Sequence, residues 1–117
     1  MKIEGEGKLV RVYIGDADQW HGQSLANAIV ERARKEGLAG ATVTRGIEGF
    51  GANSRIHTTS ILRLSEDLPV KVELVDVPER IERFLPILDE MVTEGLITVQ
   101  DCHIFKYVHS PKPGSGA

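Results

Sequence analysis

Gly46, Gly49 and Gly51, with Arg45 before them and Arg55 after, are the residues of this chain whose types and spacing best suit binding chemistry. Bare backbone lets a ligand come close and offers it N–H groups. Arginine pairs with phosphate through parallel charged hydrogen bonds. The spacing is not the dinucleotide fingerprint, because the segment leaves a strand for a loop and not for a helix. Nor is it a P-loop, since no Gly-Lys-Ser/Thr follows. The plainer reading of the same glycines is a bulge or sharp bend in a long hairpin. The two readings are compatible, because a bulge can aim a loop and still expose backbone.

Other chemistries find less support. The four histidines, His21, His57, His103 and His109, are not spaced as metal pairs, and no Cys or carboxylate completes a cluster around them. Surface or edge positions account for them. The single Cys102 lies beside Asp101, whose charge disfavours a thiolate. It reads as a small core or interface residue. Ser24 and Ser60 lack a nucleophile-elbow context. Asp16 and Asp18 flank a loop, and Glu79, Glu82, Asp89 and Glu90 belong to a solvated helix face, so no acid/base pair stands out. A binding protein is expected, not an enzyme.

The elements that must position these residues belong to one domain. A chain of 117 residues supports one packed core. With 41% hydrophobic and 26% charged residues it has an ordinary globular composition. A net charge of −3 gives no basic field, which excludes nucleic acid as a main partner. One cysteine excludes an internal disulfide. No apolar run approaches the ~20 residues of a membrane span, and the charged, Gly-rich start has no signal-peptide core. A cytoplasmic protein is expected.

Val10, Val12 and Ile14 alternate with Leu9, Arg11 and Tyr13, which predicts a strand over 8–15. Leu25, Ile29 and Ala33 predict a helix over 22–37, stopped by Gly37. Ala41 to Thr44 begins a second strand that runs into the glycines. Residues 52–69 form a long polar loop, of a length that usually marks function. Val70 to Val77 alternates again. Pro78 opens a second helix whose stripe is Ile81, Phe84, Leu85, Leu88, Met91 and Val92, with Pro86 able to kink it before Gly95 ends it. Leu96 to Val108 is a last strand or a pair of short strands. Residues 110–117 carry no core-forming side chains and read as a disordered tail.

The order β-α-β-β-α-β matches the ferredoxin-like α+β arrangement, with two helices on one face of a four-stranded antiparallel sheet. The other face then exposes Leu9, Tyr13 and Val75, so oligomerisation through the sheet is expected.

Ordered along the chain, these residues resemble the PII nitrogen-regulatory proteins. The resemblance rests on Gly40-Ala41-Thr42-Val43-Thr44, on Gly49-Phe50-Gly51, on the long loop, and on Leu68-Pro69-Val70-Lys71-Val72-Glu73-Leu74-Val75. It is closer to the PII-like family known as domain of unknown function 190. There the opening strand resembles Leu9 to Gly15, followed by Arg45-Gly46-Ile47, a loop like Ile56-His57-Thr58, and Ser65-Glu66-Asp67-Leu68-Pro69. The match covers about residues 8–108.

The resemblance implies a homotrimer with inward-facing sheets and an adenine nucleotide as effector in inter-subunit clefts. It also implies a mobile T-loop at 52–69 that engages a protein target such as a membrane transporter or channel. Thr42, Gly49, Gly51, Glu73 and Val75 match ligand-cleft positions. Arg45, Gly46, Phe50, Arg55 and His57 complete the expected binding set. No resident cofactor or metal is implied. Two departures matter. Where PII proteins carry Gly-Asp-Gly-Lys this chain has Thr93-Glu94-Gly95-Leu96-Ile97, and Glu94 repels a triphosphate, so AMP or ADP is favoured over ATP. The loop has no Tyr, so uridylylation does not carry over. The runner-up is a trimeric metal-responsive protein of the divalent-cation tolerance type, with His57 and His21 as first ligands.

Overall fold

The computed structural model describes residues 2–51 and 68–109. Strand β1 spans Lys2–Gly15. A small hairpin follows, β2 at Gln19–Trp20 and β3 at Gln23–Ser24, and then helix α1 at Leu25–Lys35. Strand β4 is Ala41–Arg45, β5 is Pro69–Asp76, helix α2 is Pro78–Met91 and β6 is Leu96–Val108. The four long strands form one antiparallel sheet in the order β4-β5-β1-β6, the ferredoxin-like arrangement expected from the element order.

Alternation divides the sheet cleanly. Val10, Val12 and Ile14 of β1 and Val70, Val72 and Leu74 of β5 face the helices and are buried. They meet Leu25, Ala28, Ile29 and Ala33 of α1 and Ile81, Phe84, Leu88 and Met91 of α2 in one core. That burial is the main driving force for the fold.

Local signals set the helix ends. The Ser24 hydroxyl caps α1 by accepting the Asn27 N–H at 3.0 Å. At the other end the Leu38 N–H donates to Ala33 O at 3.0 Å and the Gly37 N–H to Arg34 O at 3.1 Å. This 6→1 and 5→2 pair is a Schellman stop with Gly37 at C′. Helix α1 is therefore shorter than the 22–37 expected, because 19–24 turn back as a hairpin. Its turn residues His21 and Gly22 have φ of 48° and 84°, as a type I′ turn requires.

Helix α2 starts at Pro78 as expected and runs unbroken through Pro86, ending at Met91 and not at Gly95. Strand β1 begins six residues earlier than its β-branched pattern, because Lys2–Gly7 pair with β6 despite the glycines. Strand β6 is a single strand. Of the expected T-loop-like segment 52–69, residues 52–67 lie outside the described residues, with Arg55 and His57 among them, as does the tail 110–117, and Pro69 belongs to β5.

A cavity on the open face of the sheet

Thr42 on β4 pairs with Glu73 on β5, which pairs with Arg11 on β1. All three lie on the face without helices. The Arg11 Nε donates to Glu73 Oε2 at 2.9 Å, and Arg11 Nη1 donates to Gln100 Oε1 at 3.2 Å. Lys71 adds its ammonium at 3.7 Å from the same Glu73 oxygen. The hydrogen bond from Arg11, with Lys71 beside it, holds the Glu73 carboxyl below the usual carboxylate range. Tyr13, Val75 and Leu96 are 39%, 36% and 55% exposed on this face, as large apolar groups without cover. The open face is thus an ion-paired ladder with apolar groups at its ends.

At one end the ladder leads into a cavity of about 410 Å³. Leu9, Thr42, Glu73 and Val75 line it from the sheet, and Ala39, Gly40 and Ala41 form one wall. Ile3, Ile104, Lys106 and Tyr107 close it from the far ends of β1 and β6. Apolar walls with a few convergent polar groups suit a small organic ligand. Among the described residues Lys106 makes no ion pair, so it gives the cavity an uncommitted cation.

The expected binding residues fall into separate groups. Thr42, Glu73 and Val75 meet in this cavity. Arg45 does not join them. It stands three residues further along β4, about 10 Å away, and odd spacing turns it to the helix side. There it lines a second cleft with Val30 and Val43. Its Nη2 donates to Asp16 Oδ1 at 2.9 Å in an exposed ion pair, so it already has an anionic partner.

The glycines have a structural reason. The Gly46 N–H donates to Pro69 O at 2.7 Å. A Cβ on Gly46 would meet Pro69 Cγ at 2.8 Å, and one on Gly49 would meet it at 3.1 Å. The segment after β4 is folded tightly onto Pro69, so the close backbone approach is to the protein's own chain. Phe50, 69% exposed, and Gly51 extend beyond that contact. His21 stacks on Trp20 with ring centroids 4.2 Å apart. No group of three or more metal-ligating side chains occurs among the described residues.

Sequence reasoning did not find Ile3, Ile104, Lys106, Tyr107 or Asp76 at this site. Ile104, Lys106 and Tyr107 have no local signal beyond the alternation of β6, Ile3 lies among glutamates and glycines, and Asp76 ends the β5 pattern. A register shift between β1 and β6 sets Ile3 opposite Tyr107 at the cavity.

The four-stranded antiparallel sheet with two helices on one face is a ferredoxin-like α+β fold, the fold of PII-like proteins. The chain belongs to the DUF190 family, described as Uncharacterized ACR, COG1993, whose match spans residues 7–104. The UPF0166 protein MJ1524 of Methanocaldococcus jannaschii is 38% identical over 102 residues, 86% of this chain and 94% of that one. Among solved structures, a protein of Thermus thermophilus described as PII-like in signalling aligns with TM-score 0.63 at 20% identity. That alignment covers 86% of this chain and 91% of the other. CPII from Thiomonas intermedia K12, solved bound to ADP and bicarbonate, aligns with TM-score 0.52 at 17% identity over 85% of this chain and 88% of the other. No helix among the described residues is long and apolar enough to cross a membrane.

Proposed function

We propose that this chain is a cytoplasmic PII-like regulatory sensor that acts by binding and not by turnover. It assembles as a homotrimer through the open sheet face and takes up an adenine nucleotide at the cavity, where subunits meet. It reports occupancy through the 52–69 segment to a protein partner, such as a membrane transporter or channel. One observation carries the reading. Thr42, Glu73 and Val75, singled out in the sequence on two different strands, converge on one 410 Å³ cavity. Its apolar walls suit a planar base, the Glu73 carboxylate can accept from an exocyclic amine, and Lys106 offers a counter-charge to phosphate. CPII, solved with ADP, supports the ligand class. Glu94, in the turn after α2, lies at the other end of β6 from this cavity, so it disfavours a third phosphate where a neighbouring subunit presents it there.

The test is calorimetric titration of AMP, ADP and ATP into the purified chain, with mass by light scattering on the same sample. Micromolar binding of AMP or ADP to a trimer, with ATP weaker, is expected. A trimer that binds none of the three contradicts the nucleotide reading and leaves the fold intact.

A further inference from the structure

Strand β5 ends at Asp76, which pairs with Lys8, whereas β1 and β6 continue together to Lys2 and Val108. The β1–β6 pair therefore projects past the sheet as a two-stranded arm. Its register shifts between Ile3 and Gly5, where Gly5 takes φ 100°. That conformation favours glycine, and a shift of this kind bends a ribbon. The bend brings Ile3, 7% exposed, and Tyr107 to the same cavity as Leu9 and Val75.

From there Tyr107 reaches across the sheet. Its hydroxyl donates to the carbonyl of Ala39 at 3.0 Å, 68 residues away. Ala39 precedes β4, on the opposite edge from β6. Its N–H donates to Asp76 Oδ2 at 2.8 Å, and Asp76 is fully buried, with the Arg80 guanidinium 3.5 Å from its other oxygen. Ala39 is thus held through its N–H by β5 and through its carbonyl by the arm. The Asp76 grip is internal to the fold. The Tyr107 grip is a single half-buried hydroxyl, and it joins the arm to the wall that continues through Gly40 and Ala41 to Thr42.

We infer that Tyr107 is a positioning residue for the cavity: by clasping Ala39 it fixes the Ala39–Thr42 wall against which the ligand packs. The ligand named in this inference rests on the nucleotide reading above, but the clasp does not. Removing the hydroxyl leaves the ring, its packing and the β1–β6 pairing in place. Only the wall's tether is lost, worth about two- to tenfold in an equilibrium that depends on it.

The experiment compares the full chain with its Tyr107→Phe variant by backbone amide exchange and by ADP titration. Without ligand, exchange at Gly40, Ala41 and Thr42 is expected to rise by about two- to tenfold in the variant, while amides that open locally far from the clasp, such as Glu36 at the end of α1, stay as protected as before. ADP affinity is expected to fall by a similar factor, with urea stability lowered by no more than that one hydrogen bond. A Tyr107→Leu variant, lacking ring and hydroxyl, must loosen the wall at least as much. If exchange at 40–42 is unchanged in the Phe variant, the clasp is overturned whatever binds. If the wall loosens but ADP binds both proteins equally, the positioning role is overturned and the nucleotide reading survives. If the parent binds no ADP and the wall still loosens selectively, the nucleotide reading fails and the clasp stands. A fall in urea midpoint with even loss of protection everywhere reduces Tyr107 to an ordinary stabilising contact and overturns the inference.

Discussion

Glu73 shows how one residue ties the sheet to the site. It stands between Arg11 and Lys71 and also lines the cavity. Its folded carboxyl titrates below the ordinary range, chiefly through the Arg11 hydrogen bond. A depressed carboxylate contributes stability that is fully present above the unfolded value, about 4.3, and is lost as pH falls through the folded one. The urea midpoint of the parent should therefore drop more steeply between about pH 5 and pH 3 than that of Glu73→Gln; parallel curves contradict the ion-pair assignment. Arg45 behaves differently. Its bond to Asp16 is exposed, so Arg45→Ala should change stability by less than about 1 kcal/mol in urea melts. Gly46→Val forces a branched side chain against the Pro69 ring, and a loss of about 1–3 kcal/mol is expected from the same measurement.

At the scale of elements, the helices and the central strands were legible because their patterns are periodic and local. Val10, Val12 and Ile14 point one way at every second residue, and Ile81, Phe84 and Leu88 return to one face at helical spacing. Lys2–Gly7 carried no such pattern. Glutamates and glycines alternate there, and the strand exists because β6 supplies a partner. The 19–24 hairpin is too short for periodicity to detect. Site legibility divides the same way. Thr42, Glu73 and Val75 were found through the family-like motif around them. Arg45, close to Thr42 in sequence, was grouped with them although strand alternation turns it to the other face. Tyr107 and Ala39 lie too far apart in sequence for any local pattern to join them. Pro86 offers an element-scale prediction. It sits exposed within α2, where it cannot donate to the preceding turn. Pro86→Ala restores that donor and should stabilise the chain by about 1–2 kcal/mol after the unfolded-state entropy is counted, visible as a higher urea midpoint.

The whole molecule is a sheet with one finished face and one unfinished face. The finished face is packed by α1 and α2, and Leu88→Ala there should cost about 2–5 kcal/mol in chemical denaturation. On the unfinished face Tyr13, Val75 and Leu96 stand in water at the ends of a charged ladder, a pattern that suits contact with further copies of the chain. The cavity opens on that face, so effector binding and assembly are coupled in the proposed account. The most direct test of its central claim is an amide-resonance map of the full chain as ADP is added. The account predicts that the resonances of Thr42, Glu73 and Val75, with those of Ala39 to Ala41 beside them, shift together and saturate at micromolar ADP. Saturable shifts confined to the Arg45 cleft on the helix side, or no saturable shift at all, contradict it.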